Sequence, residues 1–243
     1  MDKQSLRERV WDALEDEGMA RFPFPPHGRI PNFAGADAAA DRLTDTDAWR
    51  TAGTVKANPD APQLPVRRAA LRAGKTVYMA VPRLRDERCF LELDPDALTD
   101  YDAATTVSGS AEHGRQVAPD AMPAVDLVVS GSVAVSEAGA RIGKGEGFSD
   151  LEWAVLREPG IVDDATPVAT TVHELQVRDE SWEADAHDVP LDLVVTPERT
   201  VETGEQPRGS APASVAGKPA GIDWSLLSEA DVAEMPVLER FRD

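Results

Sequence analysis

Cysteine is almost absent from this chain of 243 residues: Cys89 stands alone, so no internal disulfide can form. It falls in the strand-like run 88–93, where a thiol behaves as a small packing group. Lysine is nearly as scarce, with Lys3, Lys56, Lys75, Lys144 and Lys218 the only five, while Asp and Glu total 44 and the formal charge is −19. That balance excludes the basic stripe by which proteins grip nucleic acid. Carboxylates hold water and keep copies of a protein apart when salt screens weaker charges, so the pattern points to a salt-loving cell. Long apolar runs are missing too. None approaches the roughly 18 residues of a membrane span, and the opening MDKQSLRERVWDALEDEG lacks the apolar stretch of a signal peptide. The expectation is a cytoplasmic protein without a membrane segment, and the oligomeric state is not legible.

What is present suffices for one sizeable core, since 42% of residues are hydrophobic. Leu6, Val10, Trp11 and Leu14 recur at helical spacing over 3–16, and the prolines of FPFPPHGRIP end that helix. A second helix is expected over 35–49, with Ala36, Ala39, Ala40 and Leu43 on one face, and a third over 63–72, stopped by Gly74. Strands are expected at 54–57, 75–81, 89–93, 126–129, 168–172 and 191–195. Alternation of this kind predicts an α/β fold, a mainly parallel sheet with helices on both faces. Residues 1–198 would form this domain. Residues 199–221, rich in Pro, Gly, Ser and Ala, read as a flexible linker. Beyond it, 222–243 carries a capping serine, Ser228, and reads either as a short helix that docks back or as a tail for a partner.

Chemistry concentrates in residues 141–150, RIGKGEGFSD, which follow an apolar strand and open a helix near Ser149 or Asp150. Gly143, Gly145 and Gly147 would let backbone N–H groups approach an anion, and the helix N-terminus adds partial positive charge. Arg141 and Lys144 would add formal charge. The segment matches neither the Walker pattern nor the dinucleotide fingerprint, and alone it could be a surface turn. Three polar stretches accompany it at predicted element ends: Lys3 and Arg7 one helical turn apart, VKANPDAPQ after a strand, and HDVPLDLVVT. Asp150 and Asp188 could together hold a magnesium ion, a cation usually bound by one or two carboxylates plus substrate phosphates.

The collinear order KxxLR, GKxVxxxVP, DLVVSGSVAVSxxGxRIGxGxGFxD and HDVPLDLVVT resembles the 5-formyltetrahydrofolate cyclo-ligase (methenyltetrahydrofolate synthetase) family over roughly residues 1–197. The resemblance implies a NagB/RpiA/CoA-transferase-like fold and ATP- and Mg-dependent closure of 5-formyltetrahydrofolate to 5,10-methenyltetrahydrofolate. By the same resemblance, Lys3 and Arg7 would meet the nucleotide phosphates. Arg141, Gly143, Lys144, Gly145, Glu146, Gly147, Phe148 and Ser149 would form the ATP loop, with 144–148 also near the folate. Arg141 and Lys144 would neutralise charge in the reaction, and Asp150 and Asp188 would hold the magnesium. Several positions depart from the family pattern. Ser149 follows Phe148 where two aromatics are usual, Glu146 replaces a glycine or basic residue, and Gly131, Ser132, Val135 and Ser136 replace proline-glycine and phenylalanine-aspartate. Asp60 is the nearest acid to a folate-contacting glutamate with no clear equivalent. These departures place the chain in a divergent branch, with a non-cyclising folate- or nucleotide-binding paralogue as the alternative and a different phosphorylated ligand as a third reading.

Overall fold

The computed structural model describes residues 2–203 and 217–242. In chain order it contains α1 (Lys3–Asp16), the short strands β1 (Ala20–Arg21) and β2 (Asn32–Phe33), α2 (Ala36–Thr44), α3 (Asp47–Thr51), β3 (Thr54–Ala57), α4 (Leu64–Arg72), β4 (Thr76–Ala80) and β5 (Phe90–Leu93). There follow α5 (Tyr101–Ala104), α6 (Val107–His113), β6 (Arg115–Val117), β7 (Leu127–Val129), the hairpin strands β8 (Ala134–Val135) and β9 (Arg141–Ile142), and α7 (Phe148–Arg157). The chain continues through β10 (Val168–Thr171), β11 (Leu193–Val195), β12 (Thr200–Glu202) and α8 (Glu229–Glu234).

One eight-stranded sheet runs β12-β11-β10-β7-β3-β4-β5-β6. Its centre, from β11 to β4, is parallel. Its margins are antiparallel: β4 with β5, β5 with β6, and β11 with β12. The chain leaves β3 for β4 on one side and later returns to place β7 on the other. That reversal opens a crevice at the carboxyl ends of β3 and β7, where open α/β sheets hold ligands.

Successive side chains on a strand point to opposite faces, and here both faces are covered. Val55, Ala57, Val77, Met79, Leu127 and Val129 pack under α2, α3 and α4, against Leu43, Trp49, Val66 and Leu71. Tyr78, Ala80, Val128, Val168 and Val194 pack under α7 and the C-terminal segment, against Trp153, Val155, Val237 and Leu238. Each fully buried side chain of this size is worth about 1.5–3 kcal/mol of transfer free energy. Cys89 belongs to the α7-side core, and burial pushes its thiol up to about 12, which keeps it protonated and inert.

Two expectations change. The helix expected over 35–49 is two helices, because α2 ends at Thr44 and the Thr46 side chain accepts a hydrogen bond from Trp49 N to start α3. Part of the expected linker is ordered. Residues Thr200–Glu202 pair with β11, and Lys218 Nζ donates to Thr166 O at 2.7 Å, lies 2.8 Å from Asp192 Oδ2 and sits over the Trp153 ring. Residues 204–216 of that stretch lie outside the described residues. Among the described residues no helix is long and apolar enough to cross a membrane.

Candidate functional site

A cavity of about 270 Å³ occupies the crevice at the switch point. Its floor is the end of β3 with Asn58 and Asp60, the turn after β7 at Gly131, and the first turns of α7; Arg83 and the loop 143–148 form its rim. The ten-residue α7 starts at Phe148, with Gly147 in the left-handed conformation (φ 71°) as its N-cap, so the helix N-terminus faces the cavity. Gly145 is also left-handed (φ 104°), and a Cβ there would stand 3.4 Å from the Arg7 guanidinium carbon.

α1 reaches the loop because its apolar face packs on β8 and β9, with Leu6, Val10, Trp11 and Leu14 in one cluster with Ala134 and Ile142. Its polar face then projects two cations. Arg7 Nε donates to Gly143 O at 2.7 Å, clamping the loop. Lys3 Nζ bridges Asp185 and Asp188, 2.7 Å from each. Burial draws the Lys3 ammonium down, but its bonds to the two carboxylates outweigh that and hold it above its ordinary value.

The loop cations have different duties. Arg141, 4% exposed, donates to Gly131 O at 3.2 Å and to Asp150, and Asp150 overcomes the burial penalty to keep the guanidinium firmly charged. Arg141 is therefore a tie between β9, the β7 turn and α7. Lys144 is the freer cation, 2.8 Å from Glu146 Oε2, and Arg83 approaches the same carboxylate at 3.9 Å. Glu146 is thus neutralised between two cations at the rim. Arg83 escaped sequence reading; its left-handed backbone (φ 57°), unusual for a residue with a Cβ, is visible only in the fold.

Asp150 and Asp188 come together: Val189 N donates to Asp150 Oδ1 at 2.9 Å, and Asp185 N to Asp188 Oδ2 at 2.9 Å. Each carboxylate commits one oxygen to a cation and a backbone N–H, and Asp188 Oδ1 lies 3.9 Å from His187 Nε2. Asp185, His187 and Asp188 also group their ligand atoms within 4.8 Å; Asp150 is outside that group.

Beneath the rim lies a polar floor, whose pairing of Lys56 with Glu152 sequence reading missed. Lys56, on the α7 side of β3, pairs with Glu152, and Asn58 Nδ2 donates to the same Glu152 oxygen at 3.0 Å. Ser149 joins the floor, its Oγ 3.2 Å from Asn58 Oδ1 and 3.4 Å from Ser130 Oγ. A lysine inside an otherwise apolar strand, in a chain with five lysines, was the available signal. Asp60 lies beside Gly131, where an added Cβ would meet its Oδ2 at 3.0 Å. Burial raises its carboxyl above the ordinary 3.8, helped by Glu152 and opposed by Lys144, Arg67 and Lys56. A raised native value means that stability falls as pH rises from the unfolded-state value through the native one. Asp60→Asn is therefore expected to raise Tm at pH 7, by a margin that shrinks toward pH 4; a margin that grows toward acid would reverse the assignment.

A second cavity of about 260 Å³ lies behind the first and shares Glu146, Gly147, Phe148 and Asp150 with it. Phe148 is the aromatic wall between them. The far wall is the C-terminal segment, through Leu226, Leu227 and Met235.

Fold and crevice define an α/β domain with a ligand cavity at the switch point of its parallel strands. The chain belongs to the 5-formyltetrahydrofolate cyclo-ligase family, whose model matches residues 1–197, the span over which the motifs resemble it. It is 42% identical over 248 residues to a methenyltetrahydrofolate synthase domain-containing protein of Bos taurus, covering 100% of this chain and 62% of that protein. The corresponding Homo sapiens protein is 38% identical over 247 residues, with 100% and 62% covered. The chain thus spans about three fifths of the length of these relatives. In fold it is similar to the NMR structure of Aquifex aeolicus 5,10-methenyltetrahydrofolate synthetase, with TM-score 0.53, 18% identity, 88% of this chain and 98% of that chain covered. The expected family and α/β class are both borne out. Residues 198–243 lie beyond the family match but within the alignment to the bovine and human relatives.

Proposed function

We propose that the chain converts 5-formyltetrahydrofolate to 5,10-methenyltetrahydrofolate with consumption of ATP, in the cytoplasm of a salt-loving cell. The observation that carries this reading is the convergence on one cavity of the glycine loop, the α7 N-terminus and Lys144, with Arg7, Lys3 and the Asp150–Asp188 pair behind them. A formamide oxygen is a poor leaving group. In the proposed chemistry it attacks the γ-phosphorus, ADP departs, N10 attacks the formyl carbon and gives up its proton to water, and the oxygen leaves as phosphate. Catalysis is then mostly positioning and charge neutralisation. Lys144, Arg83 and the N–H groups at 147–149 would hold the transferred phosphoryl group, and Arg7 would fix the loop. Lys3 would meet a phosphate by releasing part of its hold on Asp185 and Asp188. Magnesium, when bound by Asp150 and Asp188, would supply further charge neutralisation. Residues 1–198 would carry the reaction, and 222–243 would close the second cavity.

The test is the near-ultraviolet absorbance of the methenyl product, followed in high salt with purified protein. It is expected from 5-formyltetrahydrofolate only when ATP is added. Ser149 favours a second reading, because its hydroxyl is turned to Asn58 and Ser130 where the family pattern has an aromatic. That reading is a paralogue that binds without cyclising, and calorimetric binding with no band would select it. Binding of neither folate nor ATP would sink both. Lys144→Ala is expected to weaken ATP binding on the order of tenfold or more, the worth of a bond to a charged group. Glu146→Gln, which frees Lys144, should leave it equal or tighter, and weaker binding would show that Glu146 serves the nucleotide.

A further inference from the structure

Lys56 and Glu152 are 1% and 6% exposed and ion-paired at the bottom of the cavity. A buried pair of this kind gains little stability over apolar residues filling the same space. Its arrangement is directional. Glu152 Oε2 takes both protein donors, Lys56 Nζ and Asn58 Nδ2. Asn58 cannot turn over, because its Oδ1 accepts from Gly131 N at 3.0 Å and from Ser149 Oγ at 3.2 Å. The carboxylate is thereby oriented, and its other oxygen, Oε1, accepts no hydrogen bond from the described residues although the side chain lines the cavity. An acceptor so held, accessible on an otherwise buried side chain that lines the cavity, with its lone pairs unused, is complementary to an N–H donor on whatever enters.

We propose that Glu152 is the specificity residue of the cavity, anchoring a heterocycle by an amino or ring N–H edge. Resting on the reduced-folate reading above, that edge is the 2-amino side of the pyrimidinone ring, and Asn58 and Lys56 act as positioning residues that hold the acceptor in place.

The test compares 5-formyltetrahydrofolate with its 2-desamino analogue by calorimetry, in the parent chain, in Glu152→Gln, and in the double variant Lys56→Met with Glu152→Gln. The double variant leaves no unpaired ammonium and guards against loss of folding, which circular dichroism checks. In Glu152→Gln the amide oxygen is drawn to Lys56 and Asn58, so its NH₂ turns to the cavity and donor meets donor. The parent is expected to prefer the amino ligand by about tenfold or more, the worth of a charge-assisted bond, and both variants to lose that preference. A folded double variant that keeps the preference overturns the inference. So does a parent that binds both ligands equally, and in both cases the reduced-folate reading stands. A parent that binds neither ligand overturns both.

Discussion

Asp150→Ala is expected to destabilise the chain by about 3–5 kcal/mol, because it strands the buried Arg141 guanidinium without its carboxylate. The same substitution frees Val189 N, and so loosens the segment that carries Asp188 from the start of α7. ATP-dependent turnover should disappear with it. Arg141 is held above its ordinary value by Asp150, so the loss should be equal at every pH between 5 and 9, where the guanidinium stays charged. Asp150→Asn keeps an acceptor for Arg141 and Val189 and should fall between the parent and alanine in urea midpoint. Unchanged stability in Asp150→Ala with loss of nucleotide binding would assign the aspartate to the ligand alone and refute its role as a tie.

Leu238→Ala carries the second large expectation, a loss of about 2–5 kcal/mol, which is the range for deleting a fully buried leucine. Leu238 and Val237 are wholly buried and belong, with Ile222, Val232 and Met235, to the core that α7 shares with the sheet. Trp153 Nε1 donates to Pro219 O at 3.1 Å and Ile222 N to Glu158 Oε1 at 2.9 Å, so the segment is bonded to α7 as well as packed on it. Urea unfolding should remain one transition with an earlier midpoint. An undocked tail would respond as surface does, within about 0.5 kcal/mol.

The parallel strands were legible because β4, β7 and β11 are short, mainly apolar runs between breakers, and β3 and β10 are short runs with apolar or β-branched residues, and burial on both faces is what such runs require. β6 was not, since Arg115 and Gln116 are exposed and only pairing with Leu91 and Glu92 makes them a strand. β12 was hidden in the same way by its partnership with β11. In the site, the glycine loop was legible because left-handed turns and a helix start leave glycines, and Lys3 and Arg7 because helical spacing puts them on one face. The duties of those residues were not. Arg141 is buried and paired with Asp150 at the cavity wall, and Glu146, which stands where a glycine or basic residue is usual, lies between Lys144 and Arg83.

By itself the sequence determined the α/β class, the family and the loop that faces the cavity, since each is written in local periodicity, in glycine placement or in ordered motifs. Only the tertiary structure decided which charges are spent within the protein and which are left for a ligand. Lys56 and Glu152 are 96 residues apart, Lys3 and Asp188 are 185 apart, and the C-terminal segment reaches α7 across the sheet's outer face. An ion pair depends on distance and burial, and neither quantity is present in a sequence until the sheet order brings the partners together.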